Sequence, residues 1–172
     1  MKIILLILFL FVSSIANAGK IAIVNYAKIE SDSSVTKNIT EQIQKKQDEL
    51  QKEVQEIQAD VQAKVEDLEK SASVLTAKAL EQKKSNLQKE LLQTDEQLKA
   101  KAQKLENVKN KTLLDLNEQI KTIVAEIAKK QGYDFILSEN SAVYFDDKYD
   151  ITDDVLKTLN KRVPSVKIDW SK

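Results

Sequence analysis

The stretch LQKEVQEIQADVQAKVEDLEKSASVLTAKAL, residues 50–80, decides the fold. Its apolar positions fall at Leu50, Val54, Ile57, Val61, Val65, Leu68, Ala72 and Leu75, in steps of 4, 3, 4, 4, 3, 4 and 3. Steps of 3 and 4 keep one stripe on one side of an α-helix, which is the seam of a coiled coil, with one extra residue near Val65 where the register drifts. Between these positions stand mostly Gln, Lys, Glu and Ala, residues of high helix propensity.

Downstream, a second seam runs Leu80, Leu87, Leu91, Leu98, Leu105, Val108, and a third Leu113, Leu116, Ile120, Ile123, Ile127. The only glycines are Gly19 and Gly132 and the sole proline is Pro164, so residues 20–131 contain neither strong helix breaker. Long helices are therefore expected, and charge argues that they fold back on each other. Residues 41–69 hold nine acids and four Lys, a net of −5, whereas residues 70–111 hold five acids and ten Lys, a net of +5. Two apolar-seamed segments of opposite charge suit an antiparallel pairing. The predicted arm spans 35–129 and reverses near 71–76, where Ser71, Ser73, Val74 and Thr76 weaken the helix. One uninterrupted coiled-coil rod is the competing reading. Val74, Leu75, Ala77, Ala79 and Leu80 surround the predicted tip, where little lies beyond to cover them, and they are the candidate binding surface. Packing across the turn is the alternative account of the same residues.

The two ends of the chain differ from the arm. Lys20-Ile21-Ala22-Ile23-Val24-Asn25 reads as a strand, as do Tyr133-Asp134-Phe135-Ile136-Leu137 and Ala142-Val143-Tyr144-Phe145 around a Glu139-Asn140-Ser141 turn. Gly132 is a C-cap for the helix before it. A last helix is expected to open on Thr152 as N-cap and to end near Arg162, ahead of Pro164. The fold class is thus α+β: a small β-strand body, residues 19–34 and 130–172, from which a helical hairpin projects. A body of roughly 60 residues is marginally stable alone, and three short strands leave open edges. Both problems point to oligomerisation, with Ile21, Ile23, Val24, Phe135, Ile136, Val143 and Phe145 as the candidate assembly residues.

At the start, Lys2 is followed by ten apolar residues, Ile3 to Val12, and by Ala16-Asn17-Ala18. Ten apolar residues are too few to cross a bilayer core, which needs about 20, so residues 1–18 read as a secretory signal. An exported domain often relies on disulfides, yet the chain has no Cys, and without His it lacks the usual general base and metal ligand. No glycine-rich phosphate loop fits between residues 20 and 131. Adjacent acids such as Asp48 and Glu49 point about 100° apart on a helix and do not converge on a substrate. The cluster Asp146, Asp147, Asp150, Asp153, Asp154 lacks the ligand order and glycine of a calcium loop, so it reads as a turn and helix start. No enzyme activity, cofactor or metal is expected. Nucleic acid is excluded as a partner by the balanced charge, 27 basic against 27 acidic residues, and by the lack of aromatics among the lysines of the arm. Those lysines, Lys78 to Lys111, pair with the acidic half of the hairpin or make weak contact with anionic membrane lipid.

The first strand, Ala142-Val143-Tyr144-Phe145 and Asp150-Ile151-Thr152-Asp153-Asp154-Val155-Leu156-Lys157 resemble the Skp (OmpH) family of periplasmic chaperones. The layout of signal, strand, long arm, strands and final helix matches that family over nearly the whole exported chain. The resemblance implies a periplasmic homotrimer whose strands form a central body and whose three hairpins surround a cavity. It also implies that unfolded outer-membrane β-barrel proteins are held there without ATP and kept from aggregating. The near-neutral charge departs from the basic balance typical of the family, and no lipopolysaccharide site is assigned. The segment from Lys161 to Lys172 is longer than in some members and has no role assigned. The alternative function is a structural or scaffolding coiled coil of the cell envelope.

Overall fold

A computed structural model describes residues 19–171. The expected signal segment, residues 1–18, lies outside the described residues. Strand β1 (Ile21–Val24) leads into a short helix α1 (Tyr26–Asp32) and then into two long ones, α2 (Ser34–Ser71) and α3 (Ala77–Gln131). Strand β2 (Phe135–Ser138), two single 3-10 turns and helix α4 (Thr152–Arg162) follow. The class is α+β, a projecting antiparallel hairpin on a small strand-containing body.

Helices α1, α2 and α3 each start on a short polar side chain that takes up a free amide of the first turn. Asn25 Oδ1 accepts from Lys28 N at 2.8 Å, Ser33 Oγ from Thr36 N at 3.3 Å, and Thr76 Oγ1 from Ala79 N at 3.3 Å. Residues 72–76 make the reversal between α2 and α3. Gly132 ends α3 with φ +71°, the left-handed geometry that glycine adopts without steric cost.

The strands β1 and β2 run parallel, with Ile21 opposite Phe135 and Val24 opposite Ser138. Alternation sends Ala22 and Val24 inward and leaves Ile21 and Phe135 on the outer face. Beneath the sheet lies one core, built from Ala22 and Val24, Ile29 of α1, Val155 and Leu159 of α4, and the base of the hairpin. That base supplies Val35, Ile39 and Ile43 from α2 and Leu116, Ile120, Ile123, Val124 and Ile127 from α3, so the body's core reaches into the arm's own helices. The two buried polar residues among those described are satisfied: Ser33 bonds Thr36, and Thr152 Oγ1 accepts from Asn25 N at 2.9 Å.

Two local expectations need correction. Ala142-Val143-Tyr144-Phe145 is not a strand. Ala142 has extended geometry (φ −111°, ψ 132°), but β1 is already flanked by β2 on one side and by the Ile23–Asp150 bridge on the other, so no edge of β1 remains for it. The expected turn at Glu139–Ser141 is present as a 3-10 turn, but Thr152 is the first residue of α4 and not its cap. Its hydroxyl is used by Asn25, and the Asp150 carboxylate accepts from Thr152 N instead, at 2.8 Å.

The segment after α4 is an extended strap along the arm. Val166, Ile168 and Trp170 turn towards α2 and α3 while Lys167 and Asp169 face out. The strap follows the hairpin groove from Ile39 and Leu116 up to Leu50 and Leu105.

Candidate functional site

Two apolar surfaces lie at opposite ends of the molecule. At the tip, the turn exposes Val74 (81 % accessible), Leu75 and Ala77, while Ala79 and Leu80 are half-buried on the first turn of α3. Leu80 N bonds Thr76 O at 2.9 Å and Leu75 N bonds Ser71 O at 3.0 Å, so the reversal is hydrogen-bonded while its side chains face solvent.

Between tip and base the helices touch along the seam expected from their periodicity, but only to half-burial: Leu50, Ile57, Val61, Leu68, Leu87, Leu98 and Leu105 are all intermediate. Two helices alone leave each stripe flanked by water. Cross-helix ion pairs sit beside this seam. Asp67 pairs with Lys83 and Glu53 with Lys101, acid on α2 and base on α3, and Lys64 with Glu90 is the reverse case. Hydrogen bonds to Asp60, then to Glu90, raise the pKa of the Lys64 ammonium.

The second surface is the outer face of the body. Phe135 (62 % accessible), Ile21 and Leu137 share the exposed side of the sheet, and the unpaired segment beside it carries Val143, fully exposed, and Tyr144. Ile21, Leu137, Ala142, Tyr144, Phe145 and Tyr149 help line an open groove of about 680 Å³ there. Of the candidate assembly residues, Ile21, Phe135 and Val143 are exposed and Phe145 is half-buried. Ile23 and Val24 are buried within the protomer and Ile136 is half-buried against its core. Leu137 and Tyr144 were not singled out from the sequence, although Leu137 stands two positions after Phe135 and so shares its face of the strand.

No convergent chemistry appears at either surface. Among the described residues no group of three His, Cys, Asp or Glu side chains could hold a metal ion. The carboxylates after the 3-10 turn serve their own backbone or a lysine: Asp146 accepts from Lys148 N, Asp150 from Thr152 N, and Asp153 pairs with Lys28 at 2.8 Å. Among the described residues no helix is long and apolar enough to cross a membrane.

Comparison with known proteins bears on the layout as a whole. No curated protein matches the chain. A crystal structure of a candidate OmpH-like outer membrane chaperone from Caulobacter crescentus CB15 superposes with a TM-score of 0.81 at 17 % sequence identity, covering 88 % of this chain and 89 % of that one. At that identity the likeness is one of fold. The family model for outer membrane protein (OmpH-like) matches residues 20–159, from the first strand through most of the last helix. That span covers the body and both arms of the hairpin, and the chain belongs to the OmpH-like family.

Proposed function

We propose that this protein is an ATP-independent periplasmic holdase that keeps unfolded outer-membrane β-barrel proteins from aggregating. The observation that carries the reading is the unpartnered apolar face of the body, Ile21, Phe135, Leu137, Val143 and Tyr144, on a chain whose hairpin ends in an exposed apolar tip. An apolar face of this kind on a small body is an assembly surface, and the outer edge of β2 with the unpaired segment 142–145 offers strand pairing to a second copy. Assembly through the body would bring several hairpins round a common space. Three copies is the number that family membership supports.

Clients would be held by many weak contacts with the half-buried seams and tips, none demanding a particular sequence. Apolar barrel strands kept apart in this way cannot pair edge to edge, which is the route to aggregation. Release requires no fuel, since the client gains more by folding into a bilayer. The lysines of the arm, Lys78 among them, would add weak contact with anionic lipid at delivery.

The purified protein, without nucleotide, is expected to suppress light scattering by an outer-membrane barrel protein diluted from urea. Undiminished scattering at a stoichiometric excess of the protein overturns the reading. Light-scattering mass at micromolar concentration is expected to be that of a trimer, and a Val143→Asp variant is expected to dissociate; a wild-type monomer overturns the assembly step.

A further inference from the structure

The strap formed by residues 163–170 is held in an unusual way for a terminal segment of irregular structure. Asn38 and Gln42, one turn apart on α2, bond its main chain. Val166 N donates to Asn38 Oδ1 at 3.1 Å, Val166 O accepts from Gln42 Nε2 at 2.7 Å, and Ile168 N donates to Gln42 Oε1 at 3.1 Å. Gln42 Nε2 also bonds Asn38 Oδ1 at 2.9 Å, which orients both carboxamides. These are the groups that one edge of a β-strand presents at residues i and i+2. Two side-chain amides on a helix thus stand in for a neighbouring strand.

Side chains enter the groove at every second position. Ile168 is buried beside Ile39, Val108 and Leu116, and Trp170 lies with Leu50 and Leu105. Beside Val166 and Ile168 a cavity of about 260 Å³ remains, room for residues larger than valine. The recognition joins two features: main-chain bonding, and apolar side chains alternating with polar ones.

We propose that this groove at the base of the arm, between α2 and α3, is a docking site for extended polypeptide segments with apolar residues at alternate positions, and that the chain's own strap occupies it in the resting protein. Transmembrane barrel strands carry that pattern, apolar-out and polar-in over about 10 residues. The identity of the natural occupant rests on the holdase reading; the existence of the site does not. Because the strap is covalently attached, it competes at high effective concentration and lowers the apparent affinity for any segment in trans. A client strand would displace the strap and gain the same three main-chain bonds.

Trp170 is the only tryptophan of the chain, so its fluorescence reports strap docking directly. The probe is a synthetic ten-residue peptide of alternating Val, Ile and Phe with Ser, Lys and Asp; its control has the same composition with the apolar residues in one block. Titrating the full chain with the alternating peptide should red-shift the Trp170 emission saturably, and the control peptide should not. In an Ile168→Asp variant, whose strap is loosened, the fluorescein-labelled alternating peptide should bind about tenfold more tightly. Adding Asn38→Ala and Gln42→Ala to that variant should remove most of that gain, with helix content checked by circular dichroism. Trp170 emission unmoved by the alternating peptide up to about 1 mM, or moved equally by both peptides, overturns the proposal. Wild-type titration needs no variant to fold. A protein that suppresses barrel aggregation while Trp170 stays docked keeps the holdase reading and loses this one, and the converse result separates them the other way.

Discussion

The base and the outer half of the hairpin are made from the same two helices with the same apolar period, yet only one of them has a core. At the base Val35, Ile39 and Ile43 face Leu116, Ile120, Ile123 and Ile127, and all are buried because α1, α4, β1 and the strap close over them. From Leu50 and Leu105 outwards the seam has no third layer, and no described residue between 44 and 115 is fully buried. A heptad-like stripe therefore specifies which residues meet but not how dry they become. Stability follows the drier end, so the arm should open locally at a much lower free energy than the body. For the proposed holdase role this would be the useful arrangement, a fixed base carrying a compliant arm.

The largest expected effect tests the dry end. Ile120 is 0 % accessible, and Ile120→Ala should cost about 2–5 kcal/mol through lost burial and a cavity that the packed base cannot close. Urea unfolding followed by circular dichroism at fixed protein concentration measures it, and a loss below about 1 kcal/mol would show that the base is no better packed than the arm.

Next comes the junction of the two regions. Gly132 holds φ +71°, and a Cβ there would meet nothing within 4 Å, so Gly132→Ala tests backbone strain alone. The expected cost is about 1–2 kcal/mol, the usual price of the left-handed conformation for a residue with a Cβ. An unchanged unfolding midpoint would mean that the end of α3 relaxes freely and does not tie the arm to the body.

On the arm, Ile57 is half-buried in the two-helix seam. Ile57→Ala should cost about 1 kcal/mol, and hydrogen exchange should show its neighbours on α2 already exchanging faster than the amides around Ile39. Equal protection along the whole of α2 would erase the contrast between the regions.

How much of this was readable from residue order depends on how local each cause is. The hairpin was, because its seam and its charge asymmetry are both carried by consecutive residues; Asp67 with Lys83 and Glu53 with Lys101 follow that asymmetry. The C-cap at Gly132 was equally local. Val143 and Tyr144 misled because aromatic and β-branched residues report a preference for extended backbone, whereas a strand also needs a paired neighbour: β1 is taken on both sides, and segment 142–145 does not pair with the outer edge of β2. Thr152 misled because its hydroxyl is claimed by Asn25, a partner 127 positions away. The helix α1 went unread although Asn25 and Ser33 are ordinary caps, since seven residues carry too little periodicity to separate from a loop. Val166, Ile168 and Trp170 do alternate, but a groove made by helices more than a hundred positions upstream in part is invisible to any window. The exposed sheet face shows the same limit: Phe135 was singled out and Leu137, its neighbour on that face, was not.

The smallest effect expected is that of pH near neutrality, and it separates charge placement from charge stabilisation. Lys64 is raised by its hydrogen bonds to Asp60 and Glu90, so its contribution is fully present below the unfolded lysine value and lost only as pH rises through the folded one. Glu49 is lowered by its hydrogen bond from Lys46 and by that charge, so its contribution is present above the unfolded glutamate value and lost as pH falls through the folded one. One window is alkaline and the other acid, and the chain has no His to titrate between them. Melting curves should therefore superimpose from about pH 6 to about pH 8. Lys64→Gln should leave the midpoint unmoved, because exposed pairs are screened by water and salt. Glu53→Lys differs in kind: it sets two ammonium groups facing across the seam at a register that brings Lys101 opposite. If Glu53→Lys shifts the midpoint or opens the arm to exchange while Lys64→Gln does not, charge in this hairpin acts by excluding wrong alignments. If both are silent, the seam alone sets the register, and the opposite charges of the two halves serve solubility.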